Sequence, residues 1–186
     1  MTNTDTRDAR ATLAQIRSLA REGCEIVRVA VPDGTSAKAF RRIRERSPIP
    51  VIADIHFDYR LAVACADAGA DGLRINPGNI GGERNTLEVL RAARANRAAV
   101  RIGVNAGSVE KDLLAKYRGP APEALVDSAS RYLRICEKAR FRNLKFSLKA
   151  SDVATTIGAY RLFSRRFDYP LHVGVSEAGT LFSGTV

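Results

Sequence analysis

The sequence predicts an incomplete α/β barrel of the TIM (β/α)8 type, with about six βα units visible. The first observation is that short strand-like runs alternate with helix-like segments along the chain, as expected for βα units in a parallel sheet. The second is that the strand-like runs themselves alternate apolar and polar residues, as in Val27-Arg28-Val29. Strands covered by helices on both faces are almost continuously apolar. A polar second face therefore favours strands whose polar side chains point into a barrel.

The first helix is predicted over Asp8–Glu22, because Thr6 can cap it, apolar residues recur at helical spacing through Leu13–Leu19, and Gly23 can end it. The later helices are predicted at Ser36–Arg46, Tyr59–Ala68, Glu83–Asn96, Pro122–Ala139 and Val153–Phe167. The strands are predicted at Cys24–Val31, Pro50–Ile55, Asp71–Asn76, Val100–Asn105, Asn143–Lys149 and Leu171–Glu177.

Six units are fewer than a closed barrel requires, since that fold has eight units and typically about 250 residues. The first predicted helix has no strand before it, and the chain stops soon after the sixth strand-like run. We therefore expect residues 1–186 to be one partial barrel domain that lacks a first strand and a last βα unit. The strand at Cys24–Val31 is then expected to have an open edge.

Composition excludes several classes of protein. Hydrophobic residues make up 45% and charged residues 27% of the chain, which excludes a disordered chain. The sequence contains neither a membrane-spanning apolar run nor a signal peptide, so we expect a cytoplasmic protein with no membrane partner. A net charge of +10 is compatible with a nucleic-acid partner. However, there is no known binding motif and no Trp, so scattered surface arginines are the preferred interpretation and no nucleic-acid partner is expected.

The three cysteines, Cys24, Cys65 and Cys136, are far apart in the sequence and form no C-x-x-C pair. Local spacing therefore indicates neither a zinc site nor an iron–sulfur site. We expect buried, reduced thiols and no metal ligands in this chain.

Polar side chains gather on the predicted inner face of the strands, toward the carboxyl ends where TIM barrels have their active sites. The residues at the strand ends are His56, Asn76, Asn105, Lys149 and Ser176, with Glu177 directly after. The residues deeper in the strands are Arg28, Asp54, Arg74, Arg101 and Lys145. Five cations thus accompany two carboxylates. Because unpaired buried charges are costly, the excess predicts an anionic ligand such as a diphosphate, which Arg binds in a bidentate manner. The alternative is ion pairing with carboxylates of the surrounding helices.

The roles of several further features stay open. Residues 76–82 (NPGNIGG) form either an ordinary loop or, beside Arg74, an anion-binding turn at a helix N-terminus. Glu177 is either an acid/base or a pairing carboxylate. Lys149 suits phosphate binding or a Schiff base. His56 and His172 are each either an acid/base group or a structural one.

Seven segments, in order along essentially the whole chain, resemble the 4-hydroxy-3-methylbut-2-en-1-yl diphosphate synthase family. They are MTNTDTRD at 1–8, IVRV at 26–29, ADIHFDYR at 53–60, LRINPGNIG at 73–81, RIGVNAGS at 101–108, KASD at 149–152 and GVSEAG at 174–179. The resemblance implies reductive opening of 2-C-methyl-D-erythritol 2,4-cyclodiphosphate in isoprenoid biosynthesis by the non-mevalonate pathway, with ferredoxin or flavodoxin as the electron donor.

The resemblance also implies roles for individual residues. The diphosphate ligands would be Arg28, Arg74, Arg101 and Lys149, with Asn105 nearby, and Glu177 would be the acid/base on the substrate. A separate C-terminal domain would carry a [4Fe–4S] cluster on three Cys and one Glu and would face the barrel of its partner in a homodimer.

This chain departs from the family pattern at several points. Ser176 replaces the usual Thr, and the three cysteines match none of the cluster ligands. We also expect residues 1–186 to lack the cluster domain and the later barrel strand that carries a phosphate-binding Arg in the family. The chain is therefore expected to be an oxidoreductase fragment that binds substrate and is inactive alone. Two alternatives stay open: another phosphate-binding barrel, such as a pterin-synthase-like enzyme or a Schiff-base aldolase, and a non-catalytic basic fragment that binds nucleic acid.

Overall fold

The computed structural model describes residues 1–174, and the chain divides into two compact units, Met1–Val100 and Arg101–Val186. Helices and strands alternate in both units, which confirms the predicted α/β class. Within each unit, strands that follow one another in the chain are neighbours in the sheet, as expected for consecutive βα units.

The first unit contains four helices, three complete strands and the start of a fourth strand. The strands are β1 (Val27–Ala30), β2 (Val51–Asp54), β3 (Gly72–Ile75) and β4 (Ala99–Asn105). The helices are α1 (Ala9–Arg21), α2 (Gly34–Arg46), α3 (Tyr59–Asp67) and α4 (Glu83–Ala95). β1 and β2 are parallel, as are β2 and β3, and the register places Asp54 opposite Ala30 on one side and Arg74 on the other.

Three helices of this unit begin at an aspartate, whose side chain accepts a hydrogen bond from the first turn. Asp8 caps α1, Asp33 caps α2 and Asp58 caps α3. The predicted Thr6 cap is therefore wrong, because Asp8 is closer to the first turn and its carboxylate accepts from Ala11 N. Gly23 follows α1 with φ +89°, the left-handed conformation that favours glycine after a helix.

The alternation predicted for the strands is observed in β1. Val27 and Val29 are fully buried in the apolar core, whereas Arg28 between them is half-buried on the opposite face. The outer edge of β1 is partly covered, contrary to the expected open edge. Thr2 N donates to Arg28 O at 3.0 Å and Thr6 Oγ1 donates to Ala30 O at 2.6 Å.

The second unit contains the remainder of β4, a 3-10 turn at Ala106–Ser108, and four further elements. They are α5 (Lys111–Tyr117), α6 (Pro122–Lys138), β5 (Leu144–Lys149) and α7 (Val153–Arg166). The sequence-based prediction did not include α5. The predicted strand Leu171–Glu177 is represented by one parallel bridge between Leu171 and Phe146, and residues 175–177 lie outside the described part. Across residues 1–174, no helix combines the length and apolar composition needed to cross a bilayer.

Candidate functional site

Asp54 connects three neighbouring strands of the first unit through ion pairs. Its side chain is only 4% exposed and lies 3.2 Å from Nε of Arg28, through Oδ2, and 3.2 Å from Nη1 of Arg74, through Oδ1. These pairs form because Asp54 is flanked by β1 and β3 in the parallel register. One buried carboxylate therefore fixes two guanidinium groups.

The cluster of Arg28, Asp54 and Arg74 keeps an excess of positive charge, since two guanidinium groups share one carboxylate. The side chain of Arg74 is 13% exposed, and its Nε is buried without a hydrogen-bond acceptor among the described residues. His56 is adjacent, with Nε2 3.7 Å from Asp54 Oδ1, and is about half exposed. The site can therefore offer oriented N–H donors to an anion.

The ion pairs at Asp54 bear on one alternative from the sequence, that the inner cations pair with carboxylates of the surrounding helices. Arg28 and Arg74 are paired internally, but with Asp54 on the same sheet rather than with carboxylates of the surrounding helices. The excess of cations counted from the sequence is unchanged, since Asp54 is one of the two carboxylates in that count. The carboxylate also restricts the orientation of both arginines, which lowers the entropy lost when a ligand binds.

The loop at residues 76–82 is held by two asparagine side chains. Asn76 is 2% exposed and its Oδ1 accepts from Gly78 N at 3.1 Å. Asn85 Nδ2 donates to Ile80 O at 2.7 Å. Gly81 has positive φ, and a Cβ there would lie 2.5 Å from that nitrogen. Asn76 therefore shapes this loop, a structural role that the sequence analysis did not assign.

The other described candidates belong to the second unit. Arg101 on β4 is 6% exposed. Asn105 ends β4, and its backbone exchanges hydrogen bonds with the hydroxyl of Ser108. Lys145 and Lys149 are half-buried on β5. Ser176 and Glu177 lie outside the described residues, so their proposed roles remain predictions.

Three residues near the candidate side chains were missed by sequence reasoning. Phe57 follows His56 and is 73% exposed. Thr156 and Tyr160 lie one turn apart on α7, are buried, and form hydrogen bonds to the backbone on either side of Lys149. No residue pattern marked Thr156 and Tyr160, because their hydrogen-bond partners are backbone groups. Phe57 was noted only as part of the segment ADIHFDYR at 53–60 and was given no role.

The cysteines of this chain do not fit an iron–sulfur cluster. Burial raises the pKa of the Cys65 thiol to about 12, and burial, with Glu137 nearby, raises the pKa of Cys136 to about 12. A cluster needs several thiolates close together, and burial disfavours the charged thiolate at both positions. Cys24 is half-buried and its Sγ donates to Ile26 O at 3.3 Å. The described residues contain no group of three or more His, Cys, Asp or Glu side chains placed to hold a metal ion.

A separate basic groove lies between the N-terminal parts of α1 and α2, with a volume of about 770 Å³. Arg10, Lys38 and Arg42 line it, and all three are exposed. It includes none of the residues predicted to bind substrate. It is therefore a suitable control surface for anion binding.

Comparison with known proteins shows close relatives over the whole chain. The chain is 59% identical to 4-hydroxy-3-methylbut-2-en-1-yl diphosphate synthase (flavodoxin) of Geobacter sulfurreducens and 57% identical to that of Lawsonia intracellularis, over 186 residues in each case. These matches cover 100% of this chain and 53% and 52% of the two relatives. The chain thus spans about half the length of the curated relatives it matches.

Solved structures at low sequence identity share the fold. Type I 3-dehydroquinate dehydratase from Clostridium difficile matches 90% of this chain and 70% of its own, with a TM-score of 0.64 and 14% identity. A putative phosphonomutase from Burkholderia cenocepacia matches 92% of this chain and 80% of its own, with a TM-score of 0.57 and 14% identity. The model of the GcpE TIM-barrel domain matches residues 1–186, which confirms both the predicted fold class and the resemblance found in the sequence. The chain belongs to the GcpE TIM-barrel domain family.

Proposed function

We propose that this chain is the substrate-binding part of an enzyme that reductively opens 2-C-methyl-D-erythritol 2,4-cyclodiphosphate to 4-hydroxy-3-methylbut-2-en-1-yl diphosphate. The names of its relatives support this reaction. The observation that carries the proposal is the pair of guanidinium groups, Arg28 and Arg74, held on the buried carboxylate of Asp54. Such a pair offers oriented donors and excess positive charge to a diphosphate.

The described residues of the first unit would bind and orient the substrate. Asp54 holds the two arginines in place before the ligand arrives, so less side-chain entropy is lost on binding. The Nε–H group of Arg74, which has no acceptor among residues 1–174, would donate to a phosphate oxygen. His56 lies at the same carboxylate and would contact the ligand from its exposed side.

The family resemblance extends the ligand set to residues of the second unit. Arg101 and Lys149 would bind the diphosphate, with Asn105 and Lys145 nearby, and Ser176 would contribute its hydroxyl. Glu177 would exchange a proton with the substrate. Glu177 and Ser176 are carried over from the matching sequence motif alone.

The reduction also needs electrons, which this chain's own side chains do not supply. The relatives' names include flavodoxin, so we propose flavodoxin, or alternatively ferredoxin, as the electron donor. A [4Fe–4S] cluster would carry those electrons in the complete enzyme. Since the buried cysteines do not fit it, its ligands would come from residues outside this chain, in a C-terminal domain of a homodimer. On this proposal the present chain alone binds substrate without reducing it.

Calorimetric titration of this chain with the cyclodiphosphate tests the proposal. We expect one molecule to bind per chain, inorganic diphosphate to compete, and added salt to weaken the charged contacts. The control is Lys38→Ala/Arg42→Ala, which removes two cations from the basic groove and should leave the affinity unchanged.

Three results would contradict the proposal. Loss of binding in the groove variant would place the anion on the outer surface. Salt-sensitive oligonucleotide binding that survives loss of Arg28 and Arg74 would favour the nucleic-acid alternative. Borohydride trapping of a carbonyl substrate on Lys149 would favour an aldolase.

A further inference from the structure

The hydrogen-bond ladder between β5 and the following segment is interrupted beside Lys149. Phe146 N donates to Pro170 O at 2.9 Å and His172 N donates to Phe146 O at 2.8 Å. In a parallel ladder, the next bond would join Leu148 N to His172 O. Leu148 N donates instead to the hydroxyl of Tyr160 at 3.2 Å, and this hydroxyl donates to His172 O at 2.5 Å.

Tyr160 is therefore inserted between the two chain segments. It comes from α7, and its side chain is buried, with the residue 8% exposed. Burial raises the pKa of Tyr160, while the Leu148 amide and the nearby Arg101 guanidinium oppose the rise, so the phenol stays protonated and able to donate at neutral pH. The inserted oxygen separates the segments at the carboxyl end of β5, where Lys149 lies.

A second hydroxyl from the same helix holds the other side of Lys149. Thr156 Oγ1 accepts from Ala150 N at 3.2 Å, and its single proton can be donated to Asp152 O at 3.0 Å or to Ala150 O at 3.3 Å. Thr156 is 3% exposed and precedes Tyr160 by one helical turn. The N–H groups of Leu148 and Ala150, the residues on either side of Lys149, thus each donate to a hydroxyl of α7.

The end of the Lys149 side chain lies close to Gly174, two residues after His172. A Cβ built on Gly174 would be 3.5 Å from both Cε and Nζ of Lys149. The ammonium group therefore lies beside a residue without a side chain, at the point where Tyr160 separates the strands. A shift of the backbone at Leu148 or Ala150 would displace the Cα of Lys149, from which this side chain extends.

We propose that Thr156 and Tyr160 form a hydroxyl clamp that positions Lys149 for an anionic ligand, a role that rests on the proposed function. The clamp acts through the backbone, so both residues are positioning residues that need not touch the ligand. The group that the ligand contacts is the Lys149 ammonium, a cation placed to bind a phosphate oxygen.

The reactivity of individual lysines tests the clamp without any ligand. Tyr160→Phe and Thr156→Val are compared with Tyr132→Phe and Thr155→Val, which alter a second buried tyrosine and the neighbouring threonine. Acetylation is followed by mass spectrometry at Lys149 and at Lys145, which lies before the interruption on the same strand. We expect each clamp variant to change the Lys149 rate by about threefold or more, as loss of one hydrogen bond implies, and to leave Lys145 and both controls unchanged. Equal changes at both lysines, or none, would overturn the clamp.

Titration with inorganic diphosphate separates this proposal from the proposed function. Tyr160→Phe should weaken binding in the wild-type background but have no further effect in Lys149→Met, because the clamp acts through that residue. Equal losses in both backgrounds would overturn the clamp. Unchanged binding by Lys149→Met, together with altered Lys149 acetylation in the clamp variants, would instead remove Lys149 from the proposed ligand set. Thr156→Val, which conserves side-chain shape, serves as the second variant if Tyr160→Phe does not fold.

Discussion

Asp54→Asn is expected to lower the free energy of unfolding by about 3 kcal/mol, the lower end of the range for breaking a buried ion pair. The substitution keeps the shape of the side chain but leaves the guanidinium groups of Arg28 and Arg74 without a carboxylate. The lower end applies because the side chain of Arg28 is 28% exposed and water stabilises part of its charge.

Urea denaturation followed by circular dichroism measures this loss. The control is Asp112→Asn, whose carboxylate pairs with Arg131 at an exposed position, so a much smaller change is expected. An unchanged midpoint for Asp54→Asn would show that the shared carboxylate does not hold the three strands together.

Arg74→Ala is expected to weaken cyclodiphosphate binding by about 2–4 kcal/mol, the usual cost of truncating one partner of a buried charged contact. Arg74 is the more buried of the two arginines at Asp54, so its charge is less screened by water than that of Arg28. Arg74→Lys should produce an intermediate loss, because it keeps the charge but not the planar pair of donors.

Calorimetry on the folded variants gives the affinities, with Arg42→Ala in the basic groove as the matched arginine control. Arg74→Lys keeps a cation beside Asp54, so it remains informative if Arg74→Ala is unstable. Wild-type affinity in both Arg74 variants, or a loss in Arg42→Ala alone, would show that the diphosphate binds elsewhere.

Much of the fold was predictable because local signals agree with it. Helices α3 and α7 begin where an aspartate can cap them, at Asp58 and Asp152. The seven-residue helix α5 was missed because so short a segment shows little of the helical period. The cap of α1 was assigned to Thr6 because both Thr6 and Asp8 are good capping residues, and only the backbone path decides between them.

The site was predictable as a set of side chains but not as a set of contacts. Period-two alternation placed Arg28, Asp54 and Arg74 on the polar face of their strands. Their pairing depends on the register between strands, which the sequence of any one strand does not contain. Thr156 and Tyr160 were missed for a related reason, since their partners are backbone groups with no residue signature.

Nitrogen-15 NMR of the arginine Nε–H groups tests the central claim, that the arginine pair at Asp54 binds the diphosphate. The Arg74 signal is assigned by its loss in Arg74→Lys, and the Arg42 signal by its loss in Arg42→Ala. On titration with the cyclodiphosphate, the account predicts that the Arg74 signal shifts and exchanges more slowly with water, because a phosphate oxygen accepts from its Nε–H. The Arg42 signal should stay in place. A saturating titration that moves Arg42 and leaves Arg74 unchanged would contradict the account.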